Sequence, residues 1–451
     1  MKDIIHNITL SLCLALLLMA CDEGLEIAPD NSIESGQALE TSSDVEALLV
    51  GAYDVLGDGD LYGGNLLRDA ELIATFDELF WNGTFIAPGQ IYRKEMLVNN
   101  DVAENTWEEA YETINITNNV LANLEVVNEA EVDRVEGEAR FLRAVLYLEL
   151  VRAYAPAWND GDPASSLGVP MVLEPTTTVT EGSYVERASV AAVYTQILED
   201  LQAAQALLPE TNGFFANQAA AQAMLSRVYL MQQNYPAAAA MADSVISSGV
   251  YSLNGNYANA FNNESNTPED IFAIQVTSQD GINDMNTFFA SPENTGRGDI
   301  YVEEDHLMLY EPTDARLAFF YEDLDLGGFR TGKWDDQFAN VNIIRLAEMY
   351  LTRAEANFRS GTAVGAAPVD DINVIRDRAG LNPVASVTLE EILLERRREL
   401  AFEGHYIHDL KRTERPVGDL PFDSPRLVYP IPQREMDANP GLQGQQNEGY
   451  N

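Results

Sequence analysis

Apolar residues return every three or four positions through most of the chain, the spacing that lines one face of an α-helix. On that pattern we place helices over residues 42–56, 67–80, 102–128, 132–155, 188–208, 217–233, 235–248, 340–359, 369–379 and 388–404. Two starts carry capping chemistry. Ser43 precedes Asp44-Val45-Glu46 and Thr388 precedes Leu389-Glu390-Glu391, each with an acid three residues on to return the hydrogen bond. Two polar, turn-rich stretches, 156–187 and 249–339, interrupt the periodicity with Gly, Pro, Asn and Asp. Loops of that length fold into short strands or bind something, and residues 270–276 form a credible strand in the second. From Pro416 onward the chain is proline-punctuated, including Tyr429-Pro430-Ile431-Pro432, which predicts an extended tail without helix.

An apolar-Tyr-Leu triplet recurs at Leu146-Tyr147-Leu148, Val228-Tyr229-Leu230 and Met349-Tyr350-Leu351, each late in an Ala-rich helix. Leu225 and Leu346 each sit four residues before the Tyr, on the same face. Gln233-Asn234-Tyr235-Pro236 then turns the chain into another small-residue helix. This is the logic of a tetratricopeptide hairpin, in which small residues let helices nest and aromatics fill the gaps. The echoes are spaced too unevenly for a regular solenoid, so the fold class expected is mostly α, with tetratricopeptide-like hairpins inside a larger scaffold.

The amino end departs from the helical pattern. Residues 8–20 form an apolar run closing in Leu18-Met19-Ala20-Cys21. It is too short to span a bilayer, which takes about 20 apolar residues, and it sits where a secretory signal carries its apolar segment. The Leu, Ala and Cys spacing resembles the lipobox of bacterial lipoproteins, so residues 1–20 are expected to be removed as a signal peptide and Cys21 to carry the lipid. The chain has 2 cysteines, the other being Cys13 inside the signal, so neither a disulfide framework nor a Cys-based metal site is open to the mature protein. Against 27 Lys and Arg stand 72 Asp and Glu, a formal charge of −45 that repels phosphate backbones. We expect no nucleic-acid partner.

Several segments together resemble the C-terminal signature of the SusD/RagB lipoproteins: Asn342-Ile343-Ile344-Arg345-Leu346-Ala347-Glu348-Met349-Tyr350-Leu351, Ile372-Asn373-Val374-Ile375-Arg376-Asp377-Arg378-Ala379-Gly380-Leu381, and Glu395-Arg396-Arg397-Arg398-Glu399-Leu400-Ala401-Phe402-Glu403-Gly404, with Asp409-Leu410-Lys411-Arg412 and Tyr429-Pro430-Ile431-Pro432 after them. Upstream, Glu138-Ala139-Arg140-Phe141-Leu142-Arg143-Ala144 and Tyr147 resemble that family's first long scaffold helix. The resemblance implies a helical SusD-like scaffold with an irregular, loop-rich ligand-binding face, divided into an N-terminal helical region over 21–250 and a C-terminal RagB/SusD region over 251–451. It also implies a surface-exposed, lipid-anchored protein of the outer membrane that captures glycan oligosaccharide, with peptide as the other class of cargo, and delivers it to a SusC-like TonB-dependent transporter. His405-Tyr406-Ile407-His408 departs from the aromatic run the family often carries there.

A glycan site needs flat aromatics beside hydrogen-bonding side chains, because sugars present C–H faces and hydroxyl rims. Phe80-Trp81-Asn82 supplies such a cluster at the end of a predicted helix, where Trp81 is expected to face solvent with Asn82 and Arg68 as polar partners. Trp158, Phe288, Tyr301 and Trp334 are further candidates in the two long loops, whereas Trp107 and Tyr111, four residues apart on a helix, read as scaffold packing. Catalytic constellations are missing: there is no H-E-x-x-H, no G-x-S-x-G and no Cys nucleophile. The run Gly327-Gly328-Phe329-Arg330-Thr331-Gly332-Lys333 starts like a P-loop, but Trp334 stands where a Ser or Thr must hold Mg²⁺. Asp58-Gly59-Asp60 starts like a calcium loop, but Tyr62 and Asp69 fill ligand positions. No metal, cofactor or catalytic residue is therefore expected. Carboxylate pairs for glycoside hydrolysis are decided by separation in space, so a lipid-anchored glycoside hydrolase stays open beside the capture protein, as does a tetratricopeptide adaptor that contacts only proteins.

Overall fold

The computed structural model describes residues 39–279 and 281–450. The lipobox and Cys21 lie outside the described residues. The first helix, α1 (Ser42–Leu56), is capped by Thr41 rather than Ser43: the Thr41 hydroxyl accepts from the Asp44 N–H, and the Asp44 carboxylate takes the Thr41 N–H in return. There follow α2 (Asn65–Ala74), strand β1 (Leu79–Trp81), α3 (Ile86–Arg93), α4 (Asp101–Ala122) and α5 (Val132–Tyr154). The first long loop holds β2 (Leu167–Pro170) and β3 (Arg187–Ser189), and α6 (Val190–Leu207), α7 (Gln218–Met231) and α8 (Tyr235–Ser247) come next. The second folds into β4 (Asp270–Ile274), α9 (Asp284–Phe289), β5 (Ile300–Val302), α10 (Glu304–Leu307), β6 (Phe320–Glu322) and β7 (Phe329–Thr331). After β8 (Val341–Arg345), the chain closes with α11 (Leu346–Ser360), α12 (Pro368–Arg378), α13 (Leu389–Glu399), α14 (Tyr406–Arg412) and α15 (Gln433–Ala438).

The long helices pack in series, α1 on α4, α4 on α5, then α6, α7, α8 and α11 in turn, with α12 and α13 against α11. Small residues set this spacing. Ala220, Ala221 and Ala223 of α7 and Ala238, Ala239 and Ala242 of α8 are all buried, and the Ser226 hydroxyl donates to the Ala238 carbonyl across the seam at 3.0 Å. The recurring tyrosines bridge neighbours as the hairpin logic expects: Tyr147 donates to the Val172 carbonyl at 2.8 Å, and Tyr229 accepts from Gln202 at 3.1 Å. Arg227 of α7 forks onto Glu348 of α11 at 2.9 and 2.7 Å and also reaches the Ile343 carbonyl, tying two hairpins across the core. One hydrophobic cluster runs from Val45 to Leu442. Each fully buried Leu or Val in it contributes about 1.5–3 kcal/mol.

Several predicted elements change. The helix placed over 67–80 ends at Ala74 and gives way to β1, and the one placed over 340–359 starts with a strand, because β8 pairs with β4 through Asp270 and Arg345. The helices placed over 102–128 and 388–404 stop at Ala122 and Glu399. The tail is not free of helix: Pro432 stands at the N-cap of α15, where a missing N–H costs nothing. The Thr388 capping box is present.

Arginines knit the C-terminal third from inside. Arg345 reaches Glu269, Glu399 and Glu403, Arg378 shares Glu269 and Glu399, and Arg316 binds Asp314, Glu395 and Glu399. Lys333, the residue a P-loop would aim at phosphate, is buried and donates to the carbonyls of Glu399 and Ala401 and to Glu403. Its ammonium is thus bonded inside the fold.

Candidate functional site

Strands β1, β5, β7 and β6 form a four-stranded antiparallel sheet in that order. Along β1 the side chains alternate, as the two-residue strand period requires. Leu79 and Trp81 point into the core and Phe80 points out, 41% exposed against 7% for Trp81. The expectation that Trp81 faces solvent at a helix end is therefore corrected: it sits in a strand, with its ring centroid 6.0 Å from that of Phe288. Arg68 joins the same interior group, its guanidinium 4.2 Å above the Phe288 ring and bonded to Asp69 at 2.7 Å. Arg68 and Phe288 are both buried, so neither meets a ligand in this arrangement.

The outward residue of β1 takes the place given to Trp81. Phe80 and Tyr301 are register partners on β1 and β5, so their side chains leave the sheet on one face. The rings lie stacked, centroids 6.1 Å apart with 29° between planes, and Tyr92 of α3 meets Phe80 edge-on at the same separation. Asn82, exposed just past the strand, donates to the Tyr301 hydroxyl at 2.9 Å. Two of the sequence candidates, Asn82 and Tyr301, thus meet across 219 residues of chain. Behind the Tyr301 ring lies the guanidinium of Arg330, 3.9 Å from its centroid, buried and paired with Asp323. Gly328, at φ +74, lies against the same ring, where a Cβ would come within 3.3 Å of the Tyr301 Cγ.

These rings floor an open cleft of ≈ 510 Å³ whose other lining residues include Phe76, Asp77, Glu303, Glu304, Asp305 and Phe329. The phenol of Tyr92 is pushed up first by burial and then by the carboxylates of Glu303 and Asp77. A cleft of this size suits a few sugar rings or a short peptide. Two small pockets of ≈ 30 Å³ have room for little more than a water each. A cleft of ≈ 350 Å³ lies beside Arg397 and Tyr406, and one of ≈ 420 Å³ beside Tyr53 and Phe215, but neither holds any of the aromatic candidates.

The remaining candidates lie elsewhere. Trp158 packs edge-on against Tyr194 at 5.1 Å, and Trp334 is buried with its indole N–H donated to the Phe402 carbonyl at 3.2 Å. Trp107 and Tyr111 pack together at 4.9 Å in the scaffold, as their spacing indicates. His405 is buried and His408 half-buried, and both imidazoles are pushed well below their usual range, first by burial and then by neighbouring cations. In the run that begins like a calcium loop, Tyr62 is buried and donates to Glu149, and Asp69 is spent on Arg68. Among the described residues, Asp58, Asp60 and Glu109 are the one group of three acids close enough to share an ion.

Comparison with known proteins fits this architecture. Residues 25–230 match the family SusD-like_3, described as starch-binding associating with outer membrane, and residues 329–420 match SusD_RagB, the SusD family. SusD-like protein P25 of Formosa agariphila is 28% identical over 283 residues, 58% of this chain but 50% of that one, so the alignment spans half of that relative's length. SusD-like protein P38 of the same organism is 24% identical over 98% of this chain and 99% of its own. A solved SusD superfamily protein from Bacteroides vulgatus, 25% identical, superposes with a TM-score of 0.82 over 91% of this chain and all of that one.

Proposed function

Because this chain belongs to the SusD family, whose members associate with the outer membrane, we propose that it captures oligosaccharide on the Phe80–Tyr301 face and delivers it to a SusC-like TonB-dependent transporter. The observation that carries the reading is the stacked ring pair, Phe80 exposed and Tyr301 half-buried, with Asn82 bonded beside it in an open cleft. Flat rings of this kind take the C–H face of a sugar, and the amide and carboxylates around them suit its hydroxyls. A tether through Cys21 would hold the protein beside the transporter and raise the effective concentration of captured ligand without a strong protein contact.

Capture and hydrolysis are separated by incubating the protein with neutral oligosaccharides while following both binding and product. Binding that saturates without product supports capture; sustained release of shorter sugars overturns it in favour of the hydrolase. The delivery step is tested by co-purification from outer membranes, where a barrel transporter is expected to accompany the protein.

A further inference from the structure

The cleft that holds the Phe80–Tyr301 pair has an unbalanced rim. Asp77, Glu303, Glu304 and Asp305 line it, no Lys, Arg or His does, and none of the four makes an ion pair among the described residues. This contrasts with the interior, where buried carboxylates are matched to guanidinium groups. Two cations lie against the rings: Arg330, beside Tyr301, is paired with Asp323, and the ammonium of Lys94, 5.3 Å from the Tyr92 centroid, is bonded to the carbonyls of Leu72, Tyr92 and Thr75. Both are buried and neither lines the cleft. The rim acids are also not grouped closely enough to share one ion, a property that among the described residues belongs to Asp58, Asp60 and Glu109. Their charges are spread along an aromatic floor, an arrangement that suits separate positive charges carried on a chain of rings.

We infer that the cleft prefers an oligosaccharide bearing protonated amino groups, of the unacetylated hexosamine class, over its neutral or acidic counterparts. The inference rests on the oligosaccharide-capture reading and adds the charge of the ligand to it. Aromatic faces attract both the sugar C–H surface and an ammonium group, while the carboxylates favour the ammonium and repel uronates and sulfates. After burial, Glu303 and Asp77 both push the Tyr92 phenol up, in line with their places beside that ring in the cleft lining.

The test compares a glucosamine tetramer with its N-acetylated form, which keeps the backbone and removes the charge, by calorimetric titration at mildly acidic pH. At low salt the amine form is expected to bind roughly tenfold tighter, with the preference falling steeply at about 0.5 M salt. In a Glu303→Gln/Glu304→Gln/Asp305→Asn variant the preference should vanish, the two tetramers binding with equal affinity. Equal affinities in the unaltered protein, or a preference that survives those three substitutions, overturns the inference and leaves capture of neutral sugars standing. Failure of either tetramer and of neutral glucan oligomers to bind takes down the capture reading as well.

Discussion

Gly83 lies directly against the indole of Trp81, so close that a Cβ there would come within 2.3 Å of the ring. The chain turns out of β1 over the face of the one residue of that strand whose ring is buried beside Phe288. Gly83→Ala is therefore expected to displace either the turn or the indole, and Trp81→Ala to leave a cavity costing about 3–5 kcal/mol. Chemical denaturation checks both. A Trp81→Ala protein of undiminished stability would return that ring to the surface.

Phe80 contributes little to the core and much to the face of the sheet. Phe80→Ala should leave the denaturation midpoint nearly unchanged while weakening oligosaccharide binding by about 0.5–1.5 kcal/mol, the range for an aromatic contact. Tyr301→Ala should weaken binding in the same range, but by freeing Asn82 and uncovering Arg330 it should also lower the denaturation midpoint. Titration of each variant with the same sugar decides whether the pair acts as one platform: a double substitution that costs clearly less than the two single ones added together indicates that it does.

The bond between Arg227 and Glu348 spans two hairpins in the interior, both side chains almost wholly buried. Glu348→Ala leaves a guanidinium without its counter-charge, which typically costs about 3–5 kcal/mol. Glu348→Gln, which keeps an acceptor for Arg227, should recover part of that loss in a thermal melt.

Two buried carboxylates held low by arginines contribute to the stability of the fold against acid. Against the upward push of burial, Arg412 holds Glu355 at about 2, and Arg378, Arg345 and Arg316 hold Glu399 at about 2. Both folded values lie below the ordinary 4.5, so the stabilisation they supply is full above about pH 4.5 and is lost as pH falls toward 2. Glu355→Gln should therefore flatten the dependence of stability on pH across that interval. An unchanged slope would place the acid transition in other groups.

Glu109 works in the opposite sense. Burial first, then Asp58, Glu112 and Asp60, push its carboxyl up to about 7. Between about pH 4.5 and 7 the folded state holds a proton that the unfolded chain has released, so this group lowers stability as pH rises through that window. Glu109→Gln should raise the melting temperature at pH 8 and change it little at pH 4.

The helices were legible because each buries one stripe of residues, and a stripe shows itself in local spacing. Strands β1 and β8 were not, because what makes them strands is a partner far away in sequence: β5 for Leu79-Phe80-Trp81 and β4 for Val341–Arg345. An apolar run such as Asn342-Ile343-Ile344 that leads straight into a helix reads as the first turn of that helix until its pairing is known. The same non-local pairing governs the candidate site. Asn82 and Tyr301 were recognisable one by one, but their meeting depends on sheet register, and the choice of Phe80 over Trp81 depends on which side of β1 faces the core. Alternation along Leu79-Phe80-Trp81 was the available signal, and it becomes readable only once the segment is known to be extended.

More than half of the 27 basic residues are folded inward, whereas most of the 72 acidic ones remain outside. Buried cations and buried acids nearly cancel, so almost the whole formal charge of −45 is carried on the exterior, where few cations are left among the acids. Copies of this protein sharing one membrane should keep their distance in dilute medium and tolerate crowding in brine, so that its packing density follows the salinity of the surroundings.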